Sequence, residues 1–139
     1  MGTARTFGLA VAGGGTGGHI FPGLAVAREF RRREPGTRVL YLGAAGRLEE
    51  RVVPREGPAV RFHGLRVRGL KGQGPIGALS ALALAARAMI ECRREIAAFG
   101  ADLLLGTGGY SSGPAALAAR TLGVPVVLQE QNAVPGLTN

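Results

Sequence analysis

The chain has 139 residues, enough for one domain, and 46% of them are hydrophobic, enough to fill a core, which excludes an intrinsically disordered segment. Seventeen basic residues, all arginine except Lys71, face nine acidic ones, and the resulting formal charge of +8 points to an anionic partner: phosphate, nucleic acid or an anionic membrane. One aspartate, two histidines and one cysteine leave no basis for an Asp-x-Asp metal site, a structural zinc site or an intramolecular disulfide, so neither a metal nor a cofactor is expected.

Short apolar runs bounded by glycine or proline predict strands at Phe7–Ala12, Arg38–Gly43, Ala59–His63, Asp102–Leu105 and Val124–Leu128. Helices are expected at Pro22–Arg33, Arg47–Val53, Ile76–Phe99 and Pro114–Leu122. Pro22 and Pro114 are read as first-turn prolines, and Gly100 and Gly123 fall just past helix ends. Strands alternating with helices predict right-handed βαβ units and a Rossmann-like, doubly wound parallel sheet covered on both faces. The first strand is preceded by no charged and apolar segments of a signal peptide, and the lone Cys92 suits a reducing compartment.

The stretch between Gly57 and Ile90 holds Arg61, Arg66, Arg68, Lys71 and Arg87 and no acidic residue. Within it, Gly64–Pro75 is a basic, glycine-rich loop leading into an alanine-rich helix whose apolar run is too short for a bilayer span of about 20 residues. Two readings stay open. The helix packs on the sheet and the arginines are a solvated face; or its start is interfacial, with Ile76, Leu79 and Leu82 in lipid and Arg66, Arg68 and Lys71 on anionic headgroups.

The strongest signal is Gly13-Gly14-Gly15-Thr16-Gly17-Gly18-His19, after the first strand and before the first helix. Glycines bring backbone N–H groups close to a ligand, and the helix N-terminus favours an anion there. A second loop, Gly106-Thr107-Gly108-Gly109-Tyr110-Ser111-Ser112-Gly113, follows the fourth predicted strand. In a parallel sheet both loops reach the carboxyl rim, where such folds bind ligands, and together they can cradle a diphosphate.

Gly13, Gly15 and Gly18 match a dinucleotide fingerprint, but the second strand ends Leu42-Gly43-Ala44-Ala45 and lacks the acidic ribose partner. A phosphate-binding P-loop would need lysine where His19 stands. The positive end of a helix disfavours an imidazolium, so a neutral, proton-accepting ring suits a general base beside a bound phosphate. Capping or bonding the loop is the alternative role for His19, and His63 is read as structural. A third segment, Gln129–Asn139, is rich in amides suited to a hydroxyl-bearing ligand.

Four ordered segments, GGTGGHIFPGLAVA from Gly14, GLKGQG from Gly69, GTGGYSSGPAALAA from Gly106 and EQNAVPGLTN from Glu130, together resemble the MurG family of GT-B glycosyltransferases. The resemblance implies an inverting enzyme of peptidoglycan synthesis that moves N-acetylglucosamine from UDP-N-acetylglucosamine to the C4 hydroxyl of lipid I, giving lipid II. It implies that residues 1–139 are the N-terminal acceptor-binding domain, inactive alone, and that a C-terminal domain holding most of the UDP lies beyond them. Gly14 and Gly15 with Gly108, Gly109, Tyr110 and Ser111 fall in the two loops that would receive the acceptor's diphosphate, with His19 as candidate base. Thr16, Gly17, Gly18 and Asn132 fall where the family touches the donor's sugar or phosphates, Gln131 beside them is a further substrate-binding candidate, and Tyr110 and Glu130 match positions important for activity, Glu130 being a catalytic candidate with His19. The Ile76–Leu82 region matches a membrane patch, which places the enzyme peripherally on the cytoplasmic face of the inner membrane.

Gln129 departs from the family's usual histidine, and glutamine cannot titrate. A stand-alone binding subunit of a split glycosyltransferase and a nicotinamide-binding module are the alternatives. Nucleic-acid binding is not expected, since seven aromatics without a tryptophan make no stacking surface.

Overall fold

The computed structural model describes residues 5–68, 72, 74–136 and 139. Among these, five strands form one parallel sheet: β1 (Gly8–Gly13), β2 (Arg38–Ala44), β3 (Val60–Leu65), β4 (Leu103–Gly108) and β5 (Val126–Leu128). Their order in the sheet is β3-β2-β1-β4-β5. The chain winds outward one way from β1 and the other way from β4. The topological switch point therefore lies between β1 and β4, where the loops that leave these neighbours turn to opposite faces of the sheet. The predicted doubly wound Rossmann-like sheet is present, with each strand within about three residues of its expected ends.

Four helices among the described residues cover the sheet: α1 (Gly17–Arg33), α2 (Leu48–Val52), α3 (Gly74–Phe99) and α4 (Ser112–Thr121), with a single 3-10 turn at Val53–Glu56 extending α2. The alternation of strand side chains divides the core. Leu9, Val11, Val39, Tyr41 and Leu105 face α1 through Ile20, Leu24 and Ala27. Ala10, Ala12, Leu40, Leu42 and Leu104 face the other way, onto Cys92 and Ile96 of α3 and Ala115, Ala118 and Ala119 of α4. Small residues on that second face let two helices lie close on the sheet. Gly100 and Gly123, each at φ +70°, close α3 and α4 as expected.

Three expectations are corrected. The first helix begins at Gly17, not at Pro22, so Pro22 sits in its second turn. The backbone bond Pro22 cannot donate is the one to the Gly18 carbonyl, in a glycine-rich first turn. The reading of α3 as a buried helix holds for only part of it. Ala88, Cys92 and Ile96 are buried, whereas Ile76, Leu79 and Leu82 nearer its start are 86%, 70% and 56% exposed. The expectation that its apolar run falls short of a bilayer span is also corrected: α3 runs 26 residues, Gly74–Phe99, and by length and composition alone is long and apolar enough to cross a membrane.

The basic surface is also smaller than the sequence window suggests. Arg61 pairs with Glu95 at 2.6 Å and His63 Nε2 lies 2.7 Å from Glu91, so the C-terminal half of α3 supplies the acids the window lacks. Arg68 bonds the Ser80 hydroxyl, and Arg66 and Arg68 are exposed. Lys71, expected on the same rim, lies outside the described residues, as does most of the GLKGQG segment.

Candidate functional site

The two glycine loops meet at the switch point. Gly13 pairs with Gly108 across a register shift after Ala12, and Ala12 pairs with Gly106, so β4 carries one extra residue, Thr107. Such a bulge re-aims the groups beside it. Thr107 Oγ1 donates to the His19 carbonyl at 2.6 Å, and the Thr107 carbonyl accepts from His19 Nδ1 at 2.9 Å. A carbonyl can only accept, so Nδ1 carries a proton, and in the neutral ring the lone pair lies on Nε2. That is the tautomer a base needs.

Backbone contacts press the loops together. The Gly14 N–H donates to the Gly108 carbonyl at 3.4 Å. Gly109 has φ +84°, and a Cβ there would overlap the Gly14 carbonyl oxygen. A Cβ on Gly108, at φ +100°, would lie 2.7 Å from His19 Nδ1. At these two positions glycine is required both by the backbone conformation and by the space.

The N–H inventory divides the first loop. The amides of Gly14 and Gly15 are used internally, Gly14 by Gly108 and Gly15 by the Glu49 carboxylate at 3.2 Å. The amides of Thr16, Gly17 and Gly18 donate to nothing among the described residues, at the positive end of the 17-residue α1. In the second loop the Tyr110 and Ser111 amides are likewise unengaged among the described residues. Ser111 is buried and Tyr110 is half exposed. Between the loops lies a cleft of about 220 Å³, with Gly14, Gly15, Thr16 and His19 on one side, Gly109 and Tyr110 on the other, and Arg47 closing a third. A depression of similar size on α3, between Arg87, Ile90, Glu91 and Arg94, is a helix surface where no free backbone donors converge.

Two residues that sequence reasoning missed belong here. Glu49 is fully buried, and its Oε1 accepts from the Ala44 N–H at 2.8 Å as well as from Gly15. A Cβ on Gly14 would overlap that oxygen, and one on Gly43 would lie 2.6 Å from Glu49 Cγ. The spacing of Gly14 and Gly43 against an acidic short helix was the only trace of this in the sequence. Burial, and then the nearby Glu49 charge, push the Tyr41 phenol above its ordinary range. Arg47 is the second missed residue.

The third segment lies against the first two. Gln129 N donates to the Gly106 carbonyl at 2.8 Å, and Gln131 Nε2 lies 2.8 Å from His19 Nδ1. Glu130 organises the remainder of the segment. Its Oε2 accepts from the Gly136 N–H at 2.8 Å and Oε1 from the Asn132 N–H at 2.9 Å, joined by the side-chain amides of Asn132 and Asn139. These bonds, that of Gly136 foremost, hold the carboxyl down at about 2, so it is ionised at neutral pH and placed to fix a loop. Asn132 is thereby oriented by Glu130.

Residues 9–139 match the family model described as the glycosyltransferase family 28 N-terminal domain. The chain belongs to that family. Among family 28 relatives, it is 47% identical over 131 residues to the UDP-N-acetylglucosamine–N-acetylmuramyl-(pentapeptide) pyrophosphoryl-undecaprenol N-acetylglucosamine transferase of Vibrio cholerae serotype O1, covering 94% of this chain and 36% of the relative. It is 49% identical to the protein of the same name from Photobacterium profundum, with the same coverage. The crystal structure of Acinetobacter baumannii MurG superposes with a TM-score of 0.81 at 35% identity, over 96% of this chain and 38% of that one. A UGT transferase from Siraitia grosvenorii, in complex with UDP, shares the fold at 21% identity, with a TM-score of 0.60 over 88% of this chain and 27% of that one. The family 28 chain thus spans little more than a third of the curated relatives it matches.

Proposed function

We propose that this chain forms the acceptor-binding half of an inverting N-acetylglucosaminyltransferase of peptidoglycan synthesis. In this reading the whole enzyme takes N-acetylglucosamine from UDP-N-acetylglucosamine and joins it to the C4 hydroxyl of lipid I, giving lipid II. The observation that carries the reading is His19, whose Nδ1–H is committed to the Thr107 carbonyl beside two loops with unengaged backbone donors. The acceptor's diphosphate lies on the Tyr110–Ser111 amides and on those of Thr16–Gly18, which the resemblance gives to the donor, because the Gly14 and Gly15 amides expected to receive it are engaged by Gly108 and Glu49. The hydroxyl approaches His19 Nε2, which takes its proton as the oxygen attacks the sugar's anomeric carbon and UDP departs from the opposite face. The ordered arc from Glu130 to Asn132 meets the donor sugar, while most of the UDP is held by residues beyond this chain, which is inactive alone.

The same reading puts the protein on the cytoplasmic face of the inner membrane as a peripheral enzyme. The exposed Ile76, Leu79 and Leu82 enter the lipid boundary, and the exposed Arg66 and Arg68 meet anionic headgroups.

Calorimetric titration of the chain with a soluble short-chain lipid I analogue, and separately with UDP-N-acetylglucosamine, tests the substrate assignment. Binding of the analogue with little response to the UDP-sugar is expected; the reverse pattern would assign this half to the donor. Flotation with vesicles tests the membrane assignment: anionic vesicles should capture the chain and added salt should release it. Equal capture by neutral vesicles would remove the basic residues from the account.

A further inference from the structure

We infer that Arg47 is the cation that clamps the acceptor's diphosphate, and that buried Glu49 is the positioning residue that holds the turn presenting it. The inference rests on the diphosphate reading of the cleft proposed above.

The backbone donors of the cleft are neutral, and a diphosphate brings at least two negative charges into it. Among the described residues, Arg47 is the one arginine lining it. Six arginines are ion-paired among the described residues: Arg5 with Asp102, Arg28 with Glu56, Arg32 and Arg33 with Glu29, and Arg61 and Arg94 with Glu95. The Arg47 guanidinium makes no ion pair and no hydrogen bond among the described residues, although Glu49 and Glu50 lie two and three positions away. Both neighbours are turned to backbone. Glu50 accepts from the Gly46 N–H at 2.6 Å, and Glu49 from Ala44 and Gly15. The turn from Ala44 to Glu50 is therefore pinned at both ends by carboxylates, while the guanidinium between them is left to the cleft.

Glu49 ties that turn to the phosphate loop itself. One oxygen bridges Ala44 at the end of β2 and Gly15 after β1, so Arg47 and the Gly15 loop are held in a fixed relation. Both bonds fall on Oε1, and the buried Oε2 has no partner among the described residues, so the hold of Glu49 on the turn runs through one oxygen. A guanidinium grips phosphate oxygens through two parallel N–H bonds. A lysine in its place would offer a point charge without that fork.

The test is binding of inorganic pyrophosphate, a short-chain lipid I analogue and UDP to the chain and its variants, with thermal melting as the folding control. Arg47→Ala should weaken pyrophosphate and the analogue roughly 10- to 100-fold at unchanged melting temperature, and Arg47→Lys should fall between. Glu49→Gln, which keeps an oxygen acceptor, should retain binding, whereas Glu49→Ala should lose it with Arg47 intact. Unchanged pyrophosphate and analogue binding by Arg47→Ala overturns the inference and leaves the diphosphate reading standing. A loss confined to UDP overturns it in favour of a donor contact. No binding of pyrophosphate or analogue by the parent chain overturns both together.

Discussion

The loops after β1 and β4 and the segment after β5 reach the same rim but are held by different physics. The first two are clamped backbone to backbone, with Gly109 against Gly14, Gly14 bonded to Gly108 and the Thr107 bulge gripping His19 at both its carbonyl and its ring. The third hangs on one half-buried carboxylate, Glu130, which gathers Asn132, Gly136 and Asn139. The backbone contacts of the clamp, Gly109 on Gly14 and Gly14 on Gly108, have nothing to titrate. A tether made of one charge can be released by a proton. Under the proposed function, the groups that must be rigid, the base and the phosphate donors, fall to the clamp, and the tether is left for the sugar side of the site.

The largest effect should come from the base inside the clamp. In the full-length enzyme of the proposed function, His19→Ala should lower turnover roughly 10²- to 10⁴-fold, the usual scale for losing a general base. Steady-state rates with a lipid I analogue across pH decide it. A loss under tenfold with an unchanged pH profile would reduce His19 to a loop-bonding residue.

Breaking the clamp itself should come next. Gly109→Ala puts a Cβ at φ +84° and into the Gly14 carbonyl. The strain and overlap should cost about 1–3 kcal/mol in thermal or denaturant unfolding, and ligand affinity should fall with it. An unperturbed melt would mean that the two loops can separate freely.

The tether should respond to acid instead. Glu130 is held at about 2 in the folded chain, below the ordinary glutamate value of about 4.3. Because the folded value is the lower one, the carboxylate's contribution is complete above about pH 4 and is lost as pH falls through about 2. Amide chemical shifts of Asn132 and Gly136 should therefore hold steady from pH 7 to about 4 and move together below it. Movement near pH 6 would point to a different titrating group.

The clamp was more legible in the sequence than the tether, and its supports were not legible at all. Glycine runs after apolar strands announce a close approach of backbone to ligand, and chain order puts both runs on one rim, so the loops and His19 could be read directly. Glu49 is 34 residues from the Gly15 amide it holds, and along the chain it is only one half of an acidic pair in a short helix. Thr107 acts through a bulge that depends on pairing between β1 and β4, 88 positions from His19. Pro22 suits a first turn so well that it masks the true start of α1, whereas Gly17 and Gly18, poor helix formers, belong to the helix for the sake of their free amides. Long-range partners of local motifs are what a single sequence withholds.

The smallest effect should fall where clamp and tether touch. Gln131 Nε2 approaches His19 Nδ1 at 2.8 Å, which on distance alone resembles a second orienting bond for the base. The proton on Nδ1 is already given to the Thr107 carbonyl, and an amide N–H has no lone pair to meet on that atom. Gln131 is also exposed, so whatever it contributes competes with water. Gln131→Ala in the whole enzyme should therefore change turnover by less than about threefold and leave the pH profile in place, because the tautomer is fixed from the Thr107 side. A change as large as that of His19→Ala would show that the tether, and not the bulge, sets the base.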